Sequence, residues 1–415
     1  MRLRAELLSS FRHPGFGLLW GSVCLNGFAS HVGTVSITWL GLVFTDSPLG
    51  VGLALAVRVL PRLVLSVPIG SLSDRGDRRA LLQLTNVLGS LSAAVVVFAS
   101  WFGWLDFAGL ILIAAGIGIF EVAETTLVKA YVYDVVGGDD AVNGMTLEQM
   151  ANKIFGVVAG ISSGILLAAY SGTGAFAAIA LAYGASAVLL WFIPRVAPDA
   201  GRRTSDPVSA SDTEPPLSAW SSIKSLIQTR AVLVFAIIAT AAEVFAYSHE
   251  VLAPSFARDI LQAGEVGLGN LVAARNAGGV VGLLLLGSVS HRVRPERLLP
   301  IICVSFGLGL VLFSASESYA VSIGLIAFVG VAWASLDALL PTVMQQNVAD
   351  SDRGAAVGVW NLSRGFGPLG ELEIGALATV LGVAATQALN GATFVIVVVA
   401  VLWWQRRQSA APVQS

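Results

Sequence analysis

Apolar runs long enough to cross a bilayer recur from one end of the chain to the other, each parted from the next by a short polar stretch. A spanning helix needs about 20 predominantly apolar residues. On that measure the pattern predicts twelve spans, at 17–43, 49–71, 80–102, 107–130, 147–170, 174–195, 231–254, 266–289, 297–316, 319–343, 356–380 and 384–404. The first follows Arg2, Arg4 and Arg12, as the apolar core of a signal peptide would. It is too long for such a core and no small-residue cleavage site follows, so it is expected to be retained. Residues 196–230 form the one long polar segment, and its first two thirds read as a flexible linker. Leu217, Trp220, Ile223 and Ile227 then recur at helical spacing with Lys224 on the polar side, which predicts an interfacial helix. The expected domains are a six-span bundle over 1–195, the linker over 196–230 and a second six-span bundle over 231–415.

Composition supports the membrane reading. Of 415 residues, 55% are hydrophobic and 12% charged, against roughly 25% charged in soluble domains. That balance excludes a cytosolic enzyme and a disordered chain. A net charge of −2 without a basic stripe excludes a nucleic-acid binder. Cys24 and Cys303 lie in apolar runs and read as packing thiols. With the amino terminus in the cytoplasm, the inside loops and tails hold 17 of the 24 basic residues and the outside loops only Arg258. This bias predicts an even number of spans with both termini inside, in a multi-pass protein of the inner membrane.

The two halves overlay without gaps. Adding 217 to residues 46–82 gives 263–299, with eleven identities, among them Gly50/Gly267, Gly52/Gly269, Arg58/Arg275, Gly70/Gly287, Ser73/Ser290 and Arg75/Arg292. Apolar composition does not place an arginine in mid-membrane twice at the same phase. Parallel six-span repeats imply two bundles about an axis along the membrane normal, with a site at their interface.

The run from Gly70 to Leu82, with Asp74, Arg75, Arg78 and Arg79, resembles the loop signature between spans two and three of the major facilitator superfamily. The stretch from Leu19 to Leu49 is similar to the macrolide-efflux and enterobactin-exporter branch, and Arg353-Gly354 and Gly367-Pro368-Leu369-Gly370 also fit it. The resemblance implies an all-α membrane protein, with twelve transmembrane helices in two pseudo-symmetric six-helix bundles. There are departures. Ser30, with His31 beside it, stands where that branch usually carries an acid; Ile161 replaces the proline among Gly156, Gly160 and Gly164; His291 occupies the position matching Asp74.

Charges inside spans are costly unless paired or hydrated, so each marks a candidate site. At about 1.5 Å per residue, Arg58 and Arg275 fall near the midplane, as does Glu243. Glu243 and Arg275 are expected to pair. Arg58 looks to Glu121, Glu124, a substrate anion or water. Glu124 with Lys153, and Asp337 with Arg364, are matched in depth and would be gates or static latches. Glu371 and Glu373 lie deep in span eleven on roughly opposite faces, and the sequence leaves open which one faces the cavity. Proton coupling needs a carboxyl whose proton affinity changes as a nearby arginine approaches or leaves. Glu243 is the first candidate and Asp337 the second; His31 reads as a packing residue.

Asp74 is suited to a helix amino terminus, where negative charge is stabilised. The resemblance implies that this terminus belongs to span eleven, near Arg353, and that Gly70, Asp74, Arg75, Arg78 and Arg353 form a conformational latch. Gly70 is expected to permit close helix approach. No nucleotide, zinc-protease or hydrolase motif is present, and neither a metal nor a cofactor is expected. The expected function is proton-coupled efflux of a small amphipathic compound, such as a drug, macrolide or siderophore, by a monomer in the bilayer. An importer on the same fold is the alternative. A lipid-modifying enzyme would need paired carboxylates or a metal cluster at one interface, whereas these acids are scattered over several spans.

Overall fold

The computed structural model describes residues 9–194, 230–290, 292–349 and 352–409. The linker and its expected interfacial helix, like His291, lie outside the described residues. Every regular element among those residues is helical. Ten helices are long and apolar enough to cross a membrane. One of them, Asn143–Trp191, turns at Ser171 (φ 53°) and so supplies both spans five and six. Span eleven is broken into Arg353–Arg364 and Gly367–Leu381, and completes the twelve. The chain is a multi-pass membrane protein.

Local chemistry fixes several helix ends. Span one, Phe16–Thr45, stops where Asp46 enters the left-handed region (φ 49°). Span three, Arg78–Trp101, starts at Asp77, whose carboxylate accepts from the backbone N–H of Arg79 at 3.0 Å and of Ala80 at 3.2 Å. Asp106 caps span four in the same way, accepting from Gly109 N–H at 2.7 Å. Such caps satisfy amides that the first helical turn leaves without partners.

Span seven is irregular. An α-helix over Arg230–Ala241 passes into a π-helical turn at Ala242–Ala246, a 3₁₀ stretch at Tyr247–Leu252, a single α-turn at Ala253–Ser255 and a second π-helical turn at Phe256–Ile260. It therefore runs six residues beyond the predicted end at 254. Interruptions of this kind gather at functional positions, because they free backbone groups and redirect side chains.

The described chain forms two compact units. The first takes residues up to Asp46, with 57–194 and 263–273; the second takes 47–56, 230–262 and the chain from Ala274 onward. The first residues of spans two and eight thus belong to a different unit from the rest of their helices. Within the first unit, Gly160 and Gly164 of span five lie against the backbone of 265–273. Within the second, Gly375 lies against Pro48 and Leu49. Small residues allow this backbone approach in membranes.

Candidate functional site

Both repeated arginines are buried, and both are placed by the same device. A Cβ on Gly118 of span four would collide with the carbonyl oxygen of Arg58, and one on Gly330 of span ten would collide with that of Arg275. In each half the arginine-bearing helix rests on a neighbour that has no side chain at the crossing.

In the first unit Arg58 is 6% exposed and its donors are taken up. Nε donates to Glu121 Oε2 at 3.1 Å, while Nη2 reaches Glu121 Oε1 and also Ser30 O at 3.1 Å and Ser30 Oγ at 3.2 Å. Nη1 donates to Thr34 Oγ1, and Ser30 Oγ donates to the same carboxylate. This fork-to-fork pairing is the strong form of an arginine–carboxylate contact. Of the partners expected for Arg58, the structure selects Glu121. Glu124 lies instead beside Asn26 of span one, within electrostatic reach of Glu121 and Glu148. His31 Nδ1 donates to Gly27 O at 2.8 Å, one turn back along its own helix.

The second unit departs from expectation. Glu243 does not pair with Arg275. Arg275 Nη1 donates to Glu250, and its guanidinium lies over the Trp333 ring at 5.1 Å. Its Nε is buried without a hydrogen-bond partner. Glu243 Oε1 is 3.5 Å from Arg364 Nε, an ion-pair distance longer than a hydrogen bond, and Asp337 is also within electrostatic reach of Arg364. The error is one of boundary. Because span seven extends to Ile260, Glu250 lies about as far from the turn joining spans seven and eight as Arg275 does on span eight, whereas Glu243 lies farther along its helix from that turn. A sequence signal for Glu250 existed: subtracting 217 gives Gly33, one helical turn from Ser30, where the resembling branch carries its acid. Around this pair Tyr247 contacts Phe306 (5.6 Å between centroids) and Trp333 (6.5 Å), and His249 contacts Phe306 (6.1 Å).

Glu371 and Glu373 meet different neighbours, the first through its backbone and the second through its side chain. The carbonyl of Glu371 adjoins Gly52, while Glu373 Oε2 accepts from Asn390 Nδ2 of span twelve at 3.0 Å.

The sequence matches the family model of the Major Facilitator Superfamily over residues 19–370 and 251–415. The chain belongs to that superfamily. Among curated relatives it is similar to the staphyloferrin A transporter of Staphylococcus aureus, at 23% identity over 91% of this chain and 92% of that one. It is similar also to the multidrug efflux pump Tap of Mycolicibacterium fortuitum, at 26% identity over 87% and 88%. Among solved structures it resembles a bacterial homologue of the human lysosomal transporter Spinster, with a TM-score of 0.73, 17% identity and 94% of each chain covered. The nucleoside transporter NupG gives a TM-score of 0.74 at 12% identity, over 93% of this chain and 99% of that one. This superfamily member is a membrane transporter rather than an enzyme.

The superfamily's loop signature is tied into the first unit chiefly by arginine. Arg78 donates through Nη1 to both oxygens of Asp134 (2.9 and 2.8 Å) and through Nε to Ser73 O at 3.0 Å. Asp74 is an exposed partner 3.3 Å from Arg78 Nη2, and Arg79 Nε donates to Leu190 O at 2.9 Å. Arg75 ends span two and Arg353 begins the first part of span eleven, both exposed. Gly70 does not serve close approach in this structure, since a Cβ there would meet nothing within 4 Å. Sequence reasoning missed Asp134 and the cap at Asp77. Asp140 takes hydrogen bonds from His13 (2.8 Å) and Ser9 (2.7 Å), which hold its carboxyl below the usual aspartate range.

Proposed function

We propose that this transporter carries a small amphipathic compound outward in exchange for protons, by alternating access, as a monomer in the inner membrane with both termini in the cytoplasm. The observation that carries the reading is Arg275. Its buried Nε has no hydrogen-bond partner, while Nη1 holds Glu250 and the guanidinium lies over the Trp333 ring, on which Tyr247 packs. A buried donor left unmade costs about 1–3 kcal/mol, and a ligand acceptor would recover that. Tyr247 and Trp333, both half-buried, offer apolar faces to the remainder of the compound. The names of two curated relatives, a siderophore transporter and a multidrug pump, accord with an amphipathic cargo.

Within this reading, Arg275 with Glu250 meets the compound, and the looser Glu243–Arg364 contact, with Asp337 near it, exchanges the proton. An ion pair at 3.5 Å, longer than a hydrogen bond, is easier to part than one closed by a fork of hydrogen bonds. Arg58 with Glu121 serves as a fixed pair in the first bundle, and Glu124 is a second titratable group near it. Asp74, Arg75, Arg78 and Arg353 are assigned to the conformational latch, and Gly70, which meets no neighbour, is left out of it. The bundles are assigned to 1–195 and 231–415, joined by 196–230.

Efflux from a susceptible strain across a compound panel, with and without a protonophore, tests both parts. The reading expects protonophore-sensitive efflux and its loss in Glu243→Gln. Wild-type efflux in that variant removes Glu243 from the coupling role. Efflux that ignores the protonophore overturns coupling itself, and accumulation of the compound in cells would establish import instead.

A further inference from the structure

Span twelve, Val383–Ser409, carries three buried polar side chains close together near its start. Thr386, Gln387 and Asn390 are 0%, 1% and 1% exposed, and their spacing of three and four residues puts them one helical turn apart. Each costs free energy when buried in lipid unless it finds a partner. Asn390 has found Glu373 on span eleven. Thr386 Oγ1 and Gln387 Nε2 have no hydrogen-bond partner. Neither the expected site nor the Arg275 cluster accounts for this seam.

Its carboxyl differs in kind from the others. Glu121, Glu250 and Glu243 each face a guanidinium, which favours the ionised form alone. Among the described residues Glu373 has an amide as its hydrogen-bond partner, and no cation. An amide can serve both protonation states. Its N–H donates to a carboxylate, and its carbonyl oxygen accepts from a protonated carboxyl. Gln387 and Thr386, one turn away, hold further donors unused in the present arrangement.

The surroundings leave the choice open to Glu373. On span seven the titratable groups packed towards this half of span eleven are Glu243, Tyr247, His249 and Glu250. Glu243 and Glu250 are matched with Arg364 and Arg275, and His249 Nδ1 is engaged with Ala246 O at 2.8 Å. Residues 48–56 and 383–405, the other neighbours, contain no titratable side chain, and Glu371 is the nearest acid on the same helix.

We infer that Glu373, held by Asn390, is a proton-exchanging site of this transporter, separate from the Glu243–Arg364 pair. Its function in a transport cycle rests on the proton-coupled reading above, whereas its titration does not.

The test uses the purified full-length protein in lipid nanodiscs and the proton alone as probe. Infrared difference spectra across a pH titration follow the carbonyl stretch of protonated carboxyls. A band is expected in wild type that is absent in Glu373→Gln and present in Glu243→Gln. In Asn390→Leu the midpoint of that band should move upward by at least one pH unit, a tenfold gain in proton affinity, because the carboxylate loses its donor. Asn390→Asp provides a second variant of nearly the same size, and its added acid should likewise move the midpoint upward. Identical spectra for wild type and Glu373→Gln would overturn the inference, as would a midpoint indifferent to both Asn390 variants. Protonophore-insensitive efflux alongside a titrating Glu373 would instead discard coupling and leave the proton site standing.

Discussion

The two arginines related by the internal repeat, Arg58 and Arg275, share a backbone setting and differ in almost everything around their guanidinium groups. Both rest against a glycine of a neighbouring span, Gly118 in one half and Gly330 in the other. Arg58 takes its acid from span four and adds Ser30 and Thr34; Arg275 takes its acid from span seven and adds the Trp333 ring. Span one is a continuous helix from Phe16 to Thr45, while span seven changes its winding four times. A regular helix with small hydroxyls closes around one cation and uses up its donors. An irregular one brings a longer acid from another direction and leaves a donor over. Duplication thus preserved the crossing and released the chemistry.

The largest expected effect tests this asymmetry. Glu121→Gln leaves Arg58 buried without its counter-charge, and breaking such a pair costs about 3–5 kcal/mol. Glu250→Gln should cost clearly less, since the Glu250 side chain is 28% exposed against 15% for Glu121, and Trp333 still faces the cation. Thermal unfolding in one detergent compares the two, and equal losses would break the distinction. The double variant Arg58→Met with Glu121→Met should recover most of the loss, because a buried pair replaced by apolar groups is often neutral.

Next come the crossings. Gly118→Val and Gly330→Val each place a side chain inside the space of an arginine carbonyl. Overpacking of this kind costs about 1–3 kcal/mol. Similar losses at both positions would support the shared device. A loss at one alone would show that the halves diverged in their backbones as well.

The architecture was legible in the sequence because a bilayer demands long apolar runs and an arginine in mid-span is too rare to recur by chance. The identity of each arginine's partner was only half legible. Counting residues as depth succeeds where rise per residue is constant, as between Arg58 and Glu121. It failed for Glu243 because π-helical turns and a 3₁₀ stretch alter the rise along span seven, and the helix continues to Ile260. Asp134 was not legible because nothing local in the chain marks a carboxylate 56 residues away as the partner of Arg78. Asn390 was overlooked because an amide in an apolar run carries no charge to attract notice.

A smaller effect should separate the halves at Trp333. A cation over an indole face contributes about 0.5–2 kcal/mol, so Trp333→Leu should weaken half-maximal efflux of whichever compound the panel identifies by about 2- to 30-fold. In the first half Thr34 is a hydrogen-bond partner of Arg58, and Thr34→Val there should alter protein stability more than compound affinity. An unchanged affinity in Trp333→Leu would remove the aromatic face from the binding role.

The smallest difference lies at the starts of spans three and nine. Asp77 plus 217 is Arg294, so the two residues hold the same place in the repeat. Asp77 caps its helix with two hydrogen bonds, whereas Arg294 makes no side-chain cap and the helix begins with Pro295, which has no amide to satisfy. Losing an aspartate cap costs about 1 kcal/mol. Asp77→Ala should therefore lower stability by that amount, while Arg294→Ala should leave it nearly unchanged. Arg294→Asp should stabilise span nine by less than the loss at Asp77, because the proline has already removed one of the amides a cap would serve. Thermal unfolding of the three variants decides it, and an equal loss from both alanine changes would mean that the proline does not substitute for the cap.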